Sequence, residues 1–320
     1  MNEHLGTTRK IIDLLFRYRR LDALAGVCAE RPCERCYSVH IPKIESKVRS
    51  GEPVLFIVPA FPAKSPNLSK VVGTLPDLAE ELALEFLQSL CEAISFYHPP
   101  GAKIIICSDG HVFSDVVSVP DATVTAYRDR LSMMIARRDC LDLFCLSDVY
   151  HESEPALMRD AMVRDYPVDL EEVSRRVATE DQWRSLFNGI HRFLFEDNCA
   201  LRPDATRSAI RKSAKSLAYA TLTRSTAWGR LIAERFPDAT RLSIHPQAAH
   251  SEKLGIQLLR AADSWLTPWH GVAVDDGQYI KLTTRRRAEA LSARLVWRDG
   301  RPSHFVAPHV DAQVELVGAG

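Results

Sequence analysis

Residues 54–67 read VLFIVPAFPAKSPN and combine the clearest β-strand signal in the chain with a proline-rich loop. The apolar run at 55–58 is typical of a strand that is buried on both faces. Prolines then stiffen the backbone, and Lys64 and Ser65 lie between the last two of them. By position alone, Lys64 is either part of a functional site or a surface residue that stabilises the loop.

The segments that follow this strand predict a parallel α/β sheet. Residues 78–94 have apolar side chains at every fourth position, which predicts a helix, and the apolar runs at 102–110 and 141–149 predict two more strands. The alternation of strands and helices indicates a doubly wound, Rossmann-like, mostly parallel sheet. All three strands end in polar or loop residues, at the edge where such sheets bind ligands.

The rest of the chain predicts a second portion made of helices and strands. Residues 155–236 have a largely helical pattern, and segments between 241 and 306 predict strands, with a hairpin turn at Asp299–Gly300. We divide the chain into a Rossmann-like part, residues 1–155, and a part of residues 156–320 that completes the cleft. A single domain is the alternative.

The composition is that of an ordinary globular protein. The 320 residues are 46% hydrophobic and 26% charged, and 41 Lys and Arg balance 41 Asp and Glu, which argues against a nucleic-acid-coating protein. The sequence shows no signal-type N-terminus and no run that could cross a bilayer. With 8 cysteines in this chain, we expect reduced thiols and a cytoplasmic protein without membrane partners.

The motifs of several common enzyme classes are missing. The only GxG is at residues 318–320, no glycine precedes a lysine, and GxSxG and HExxH do not occur. These absences argue against dinucleotide, P-loop, serine-hydrolase and zinc-peptidase sites. His309 and Asp311 have the spacing of a non-haem iron site, but no histidine follows to complete it in the usual order.

A segment near the N-terminus has the residue types of a zinc site, namely Cys28, Cys33, Cys36 and His40. Four such ligands can hold zinc tetrahedrally, although the structured loop that usually separates two ligand pairs is missing. The alternative is a set of small buried thiols beside a histidine that caps a helix. We expect neither a metal nor a cofactor.

Several sequence blocks are more specific, and they occur in the order PAFPAKSPN, KVVGTLPDLAE, PGAKIIICSDGHVFSD, VTAYRDRL, TRSTAWGRLI, RLSIHPQ, SEKLGIQLL, TPWHGVAV and DGRPSHF. Together they resemble the pyoverdine/dityrosine biosynthesis family, the isocyanide synthases, from about residue 30 to 306. The resemblance implies a cofactor-independent carbon–carbon lyase. Such an enzyme joins the amino group of an aromatic amino acid to the ketone carbon of ribulose 5-phosphate, and the sugar then fragments to leave that carbon as an isocyanide. We expect tyrosine as the substrate, with tryptophan as the alternative.

The resemblance also implies which residues form the site. Lys64 is a candidate for holding the phosphate or carrying a proton, with Ser65 beside it. Asp109 is a candidate base or ammonium-binding carboxylate, and its alternative role is a helix cap. His245 and His270 are candidate acid–base groups because histidine titrates near neutral pH, whereas satisfied core histidines are the alternative.

The same blocks supply candidate substrate-binding residues. The cations suited to a carboxylate or a phosphate are Arg128, Arg224 and Lys253. The aromatic side chains that are candidates for the walls of a substrate slot are Phe61, Trp228 and Trp269. Helix-surface ion pairs are the alternative for the arginines, and plain core packing is the alternative for the aromatic residues.

Two other functions stay open from the sequence. One is a regulatory protein that binds a sugar phosphate or nucleotide without turnover, and the other is a zinc-dependent protein organised by the cysteine segment. In each case the expected ligands are small, and we expect no nucleic-acid partner.

Overall fold

The chain forms two β-sheets and surrounding helices in a computed structural model that describes residues 3–22, 26–261, 263 and 265–308. The His309 and Asp311 pair and the GxG at residues 318–320 lie outside the described residues.

Five strands form the first sheet, namely β1 (Val54–Pro59), β2 (Ala102–Ser108), β3 (Leu141–Cys145), β4 (Thr240–Ser243) and β5 (Leu254–Gly255). All their pairings are parallel, in the order β3-β2-β1-β4-β5. The predicted doubly wound α/β sheet is therefore confirmed. The order reverses between β1 and β4, and this topological switch point is where α/β sheets bind ligands.

Four strands form the second sheet, namely β6 (Val272–Asp275), β7 (Ile280–Thr283), β8 (Arg294–Arg298) and β9 (Arg301–Val306), in the order β7-β6-β9-β8. The predicted hairpin joins β8 to β9. Its turn residues Asp299 and Gly300 have φ angles of 50° and 73°, as a two-residue hairpin turn of this type requires. The first sheet takes strands from both sides of residue 155, and the division of the chain there stays a prediction.

The described residues include eleven α-helices, which are α1 (Glu3–Phe16), α2 (Glu34–Ser38), α3 (Ile41–Ser50), α4 (Leu78–Ser95), α5 (Gly110–Phe113), α6 (Asp121–Ile135), α7 (Pro155–Asp165), α8 (Leu170–Thr179), α9 (Asp181–Leu201), α10 (Arg207–Arg235) and α11 (Arg285–Ala290). Short 3₁₀ turns lie at Gly26–Ala29, Leu146–Asp148 and Pro268–His270. None of the helices in this part of the chain is long and apolar enough to cross a membrane.

The side chains of β1 show how helices cover both faces of the first sheet. Phe56 and Val58 belong to the hydrophobic core that includes α4, whereas Ile57 belongs to the core that includes Trp228 of α10. Successive strand residues point to opposite faces, so a continuous apolar run buries both of them. The ends of the strands are then left for polar residues.

Candidate active site

A cavity of about 410 Å³ lies at the carboxyl ends of β1, β2 and β4. The residues that directly follow these three strands, Ala60, Asp109 and Ile244, line it, and so does His245. Its other walls come from α9 and from the segment between Asp263 and Arg287. The cavity has the size of a small-molecule site and lies at the switch point of the sheet.

The structure brings most of the predicted site residues to this cavity. Those that line it are Lys64, Ser65, Asp109, His245, Trp269 and His270. Phe61 lies behind this wall, with its ring centroid 5.2 Å from that of Trp269. The predicted residues that do not line the cavity are Arg128, Arg224, Trp228 and Lys253.

The two arginines of this second group are engaged in ion pairs away from the cavity. Arg128 of α6 contacts the carboxylate of its neighbour Asp129 at 2.8 Å. Arg224 of α10 donates from both terminal nitrogens to the carboxylate of Asp115. Both contacts correspond to the ion-pair alternative that the sequence left open.

Trp228 and Lys253 are also placed elsewhere. Trp228 is buried in the core between the sheet and α10, where its ring stacks on Phe144 at a centroid distance of 5.8 Å. Lys253 is exposed in the connection between β4 and β5.

Lys64 lies in a fully buried ion cluster at the wall of the cavity. Its Nζ is 2.8 Å from Asp77 Oδ2 and 2.8 Å from Glu80 Oε2, and it donates to the carbonyl oxygen of Pro268 at 3.0 Å. Asp77 and Glu80 form the capping box of α4, and Glu80 also accepts from the hydroxyl of Tyr127 at 3.1 Å. The cluster therefore connects the proline loop to α4 and to the turn that precedes His270.

The electrostatics of this cluster keep the Lys64 ammonium charged. Burial by itself lowers the pKa of a lysine, but the charges of Asp77 and Glu80 outweigh that effect and raise the pKa of Lys64. An ammonium group has three donors, and here all three have acceptors. This arrangement leaves no donor for a ligand phosphate.

A second ion cluster connects the same loop to α9. Ser65 donates to Asp197 Oδ2 at 3.0 Å, and Lys70 Nζ lies 2.7 Å from Asp197 Oδ1 and 2.8 Å from Glu196 Oε2. All four residues line the cavity. Unlike Lys64, Lys70 has a partner, Glu196, whose side chain is 48% exposed. A ligand phosphate can therefore compete for this ammonium at much lower cost than for Lys64.

Asp109 presents a carboxyl group without a stabilising partner. Its Oδ1 is buried and has no hydrogen-bond partner among the described residues. Burial raises its pKa to about 7, and the backbone N–H of the residue and the charge of Arg241 offset this only partly. The helix-cap alternative is not realised, because the side chain makes no capping bond to α5.

The next residue, Gly110, shows why Asp109 can lie so close to the proline loop. A Cβ atom at this position would come within 2.0 Å of the carbonyl oxygen of Pro62. Only glycine therefore allows the end of β2 to approach the loop this closely.

The two predicted histidines line the cavity as neutral imidazoles. Burial lowers the pKa of His245 to about 4 and that of His270 to about 3, and nearby cations add to both shifts. His270 Nδ1 is 3.1 Å from Thr267 Oγ1, which orients its ring. Neutral imidazoles can donate or accept one hydrogen bond at each nitrogen, but they offer no positive charge to a phosphate.

Aromatic side chains form much of the apolar wall. Trp269 is supported from behind by Phe61, which has a left-handed backbone (φ 58°) that bulky residues rarely adopt. Two further rings that the sequence analysis missed, Phe193 of α9 and Trp265, also line the cavity. A Cβ atom at Gly189 would lie 2.7 Å from the Trp265 ring, so this glycine makes room for the indole.

Two arginines that the sequence analysis missed also line the cavity. Arg192 of α9 is 3.4 Å from Asp263, another lining residue. Arg287 of α11 is exposed and has no ion-pair partner within the described ranges. Nothing in the sequence separates Arg287 from Arg285 and Arg286, because the three arginines are consecutive.

Comparisons with known proteins identify relatives of this chain and of its fold. Residues 44–296 match the family described as pyoverdine/dityrosine biosynthesis protein. An L-tryptophan isonitrile synthase of Fischerella ambigua (AmbI2) is 44% identical over 300 residues, which cover 93% of this chain and 91% of that protein. An L-tyrosine isonitrile synthase of Xenorhabdus nematophila is 40% identical over 304 residues, which cover 93% and 90%. The crystal structure of PvcA from Pseudomonas aeruginosa superposes with a TM-score of 0.89 at 38% identity, covering 94% of this chain and 99% of that one.

Proposed function

The chain belongs to the pyoverdine/dityrosine biosynthesis family, and we propose that it is an isocyanide synthase. Its substrates in this proposal are an aromatic L-amino acid, tyrosine or tryptophan, and ribulose 5-phosphate. The observation that carries the proposal is the content of one cavity. An unpartnered carboxyl group, two neutral imidazoles, aromatic rings and an unpaired guanidinium all line it.

The aromatic substrate fits the apolar part of the cavity. Phe193, Trp265 and Trp269 supply ring surfaces, and aromatic rings favour tilted or offset contacts with one another. Relatives that act on tryptophan and relatives that act on tyrosine are similarly distant, at 44% and 40% identity. We therefore propose an aromatic amino acid as the substrate. Within this class we propose tyrosine, which the family resemblance favours.

The sugar phosphate is assigned to two cations at the cavity. Arg287 has no carboxylate to give up within the described ranges, and its planar group can donate two parallel hydrogen bonds to a phosphate. Lys70 is the second candidate, because part of its pairing is to the half-exposed Glu196.

Asp109 is the proposed general base. A carboxyl group with a pKa of about 7 is ionised in half of the molecules at neutral pH, and it is a much stronger base than an ordinary carboxylate. It can remove a proton from the substrate ammonium or from a sugar hydroxyl during fragmentation. His245 and His270, neutral at this pH, are proposed to hold hydroxyl groups by hydrogen bonds and to pass protons within the cavity.

Lys64 and Ser65 are assigned a positioning role in this proposal. Lys64 fixes the loop against α4 and the Pro268 turn, and Ser65 fixes it against Asp197 of α9. Their contribution to turnover is to hold the walls of the cavity in one geometry, which matters because small displacements of reacting groups are costly.

Incubation of the protein with each amino acid and with ribulose 5-phosphate labelled with ¹³C at the ketone carbon tests the proposal. Mass spectrometry and the infrared N≡C band should show a labelled isocyanide with one of the amino acids. Tight binding of ribulose 5-phosphate without any product would instead favour the regulatory protein that the sequence left open.

A further inference from the structure

Three cysteines and one histidine, none of which lines the cavity, form a compact cluster. The N-terminal segment supplies Cys28, Cys33 and Cys36, and His250 comes from the connection between β4 and β5. The four ligand atoms lie within 4.8 Å of one another. Cys28 and Cys36 are buried, His250 is half-buried and Cys33 is exposed.

The individual distances agree with the edges of a tetrahedron around one metal ion. Cys33 Sγ lies 3.8 Å from both other sulfurs, and His250 Nε2 is 3.7 Å from Cys28 Sγ and 3.3 Å from Cys33 Sγ. Zinc–sulfur bonds of about 2.3 Å and zinc–nitrogen bonds of about 2.0 Å give sulfur–sulfur edges of about 3.8 Å and sulfur–nitrogen edges of about 3.5 Å. A disulfide would require the sulfurs to be about 2.0 Å apart.

We propose that Cys28, Cys33, Cys36 and His250 bind a structural zinc ion. Three thiolates and one imidazole are a ligand set that selects zinc over the oxygen-preferring ions calcium and magnesium. All four coordination positions come from the protein, so the site is closed and has no open position for chemistry.

This ligand set differs from the one that the sequence suggested. His40 is nearer in the chain, but it is buried with its ring 6.2 Å from that of Phe16, and it is not a member of the cluster. His250 takes its place across 214 positions from Cys36. This separation explains why the second half of a zinc motif is missing from the N-terminal segment.

The backbone around the cluster is already arranged to hold its two halves together. The backbone N–H of Gln247 donates to the carbonyl oxygen of Arg20 at 3.0 Å, and the backbone N–H of Asp22 donates to the carbonyl oxygen of Gln247 at 3.0 Å. Arg19 donates from its guanidinium to the carbonyl oxygens of Cys28 and Ala29. These contacts bring the ligand-bearing segments together, and a bound ion would add to them.

The position of His250 connects this site to the cavity. His245 lines the cavity and His250 follows it by five positions, within the connection that the N-terminal segment holds. A bound ion would therefore restrict the motion of the cavity wall that carries His245. The inference does not rest on the proposed function, because binding and ordering can both be measured without turnover.

Metal analysis of the purified full-length protein is the direct test. We expect about one zinc per chain in the wild type, and a loss of at least tenfold in occupancy in Cys33→Ser and in His250→Gln. The matched controls are Cys140→Ser and His40→Gln, which should keep the ion because neither residue belongs to the cluster. If His40→Gln loses the ion and His250→Gln keeps it, the proposed ligand set is wrong.

Two measurements on the wild-type protein test the zinc site even if the variants fold poorly. X-ray absorption at the zinc edge should show three sulfur ligands and one nitrogen ligand. Removal of the ion with a chelator should speed hydrogen exchange of residues 244–256 at least tenfold. The proposal is overturned by protein that stays metal-free after incubation with zinc, by a ligand shell without sulfur, or by a Cys33–Cys36 disulfide in the native protein.

Discussion

Replacement of Lys64 by methionine separates a positioning role from a chemical one. Methionine keeps the unbranched shape of the side chain but removes the charge that compensates Asp77 and Glu80. The side chains of Lys64, Asp77 and Glu80 are 0%, 2% and 0% exposed, so water cannot solvate the carboxylates in place of the ammonium. Removing one partner of a buried ion pair costs about 3–5 kcal/mol. We expect a loss of this size in the free energy of unfolding.

The pH dependence of this loss has a defined sign. Burial raises the pKa of Glu80 to about 8 in the wild type, where the Lys64 ammonium offsets part of the shift, and loss of the ammonium raises this pKa further. Glu80 is protonated in both folded proteins below pH 8, so the difference in stability between Lys64→Met and the wild type should widen above pH 8, where only the variant keeps this proton. Adding Asp77→Asn should restore part of the stability, because it removes one unpaired charge and keeps the oxygen that caps α4.

Urea unfolding followed by tryptophan fluorescence measures this loss of stability. The midpoint urea concentrations of variant and wild type can be compared if both unfolding free energies depend on urea concentration with the same slope. The control is Lys103→Met, which breaks a pair with Asp142 whose side chains are 46% and 52% exposed. That change should cost at most about 1 kcal/mol. A Lys64→Met protein with wild-type stability and no turnover would refute the positioning role and show that Lys64 takes part in the reaction.

The remaining predictions concern the cavity itself. Burial raises the pKa of Asp109 from 3.8 to about 7, so the stability of the wild type falls as the pH rises between these values. In urea unfolding, Asp109→Asn should therefore be more stable than the wild type above pH 7 and equally stable below pH 4. Its kcat should be at least ~100-fold lower than that of the wild type. Arg287→Ala should raise the KM for ribulose 5-phosphate by roughly 10- to 100-fold, whereas Arg286→Ala, next to it but not lining the cavity, should not. The pH–rate profile of His270→Gln should keep its limb near pH 7, because the imidazole titrates near pH 3; loss of that limb would make the histidine the base. Arg128→Ala should leave kcat/KM within about twofold, since its partner is Asp129 on the surface.

Local sequence patterns predicted the first sheet well because each strand buries both faces. The apolar run of β1 has no charged position, and β2 and β3 have only one each, Lys103 and Asp142 near their starts, which is the signature of parallel strands under helices. The antiparallel hairpin β8–β9 was predicted from its Asp-Gly turn for an equally local reason. The two-residue β5 carries no such signal, because it is held by pairing with β4 and by the N-terminal segment.

The site was predictable where it depends on strand ends and not where it depends on helix orientation. Asp109 and His245 follow strands that the sequence marks, and the fold brings them together. Arg192 and Asp197 lie on α9, and which face of that helix points to the cavity depends on packing against α8 and α10. In the sequence, Arg224 is as good a candidate for phosphate binding as Arg192, but in the structure it forms an ion pair with a nearby carboxylate. Ion pairing of this kind is set by tertiary structure.

Burial in the same cavity shifts the pKa values of its carboxyl group and its two imidazoles in opposite directions. Burial penalises the charged form, so it raises the pKa of Asp109 to about 7 and lowers those of His245 and His270 to about 4 and about 3. The usual order of basicity between a carboxylate and an imidazole is thereby reversed, and Asp109 becomes a stronger base than either histidine. The stiff proline loop contributes to this environment, because Lys64 anchors it to α4 and Ser65 anchors it to α9, which holds the walls in place around groups that full exposure to water would return to their ordinary pKa values.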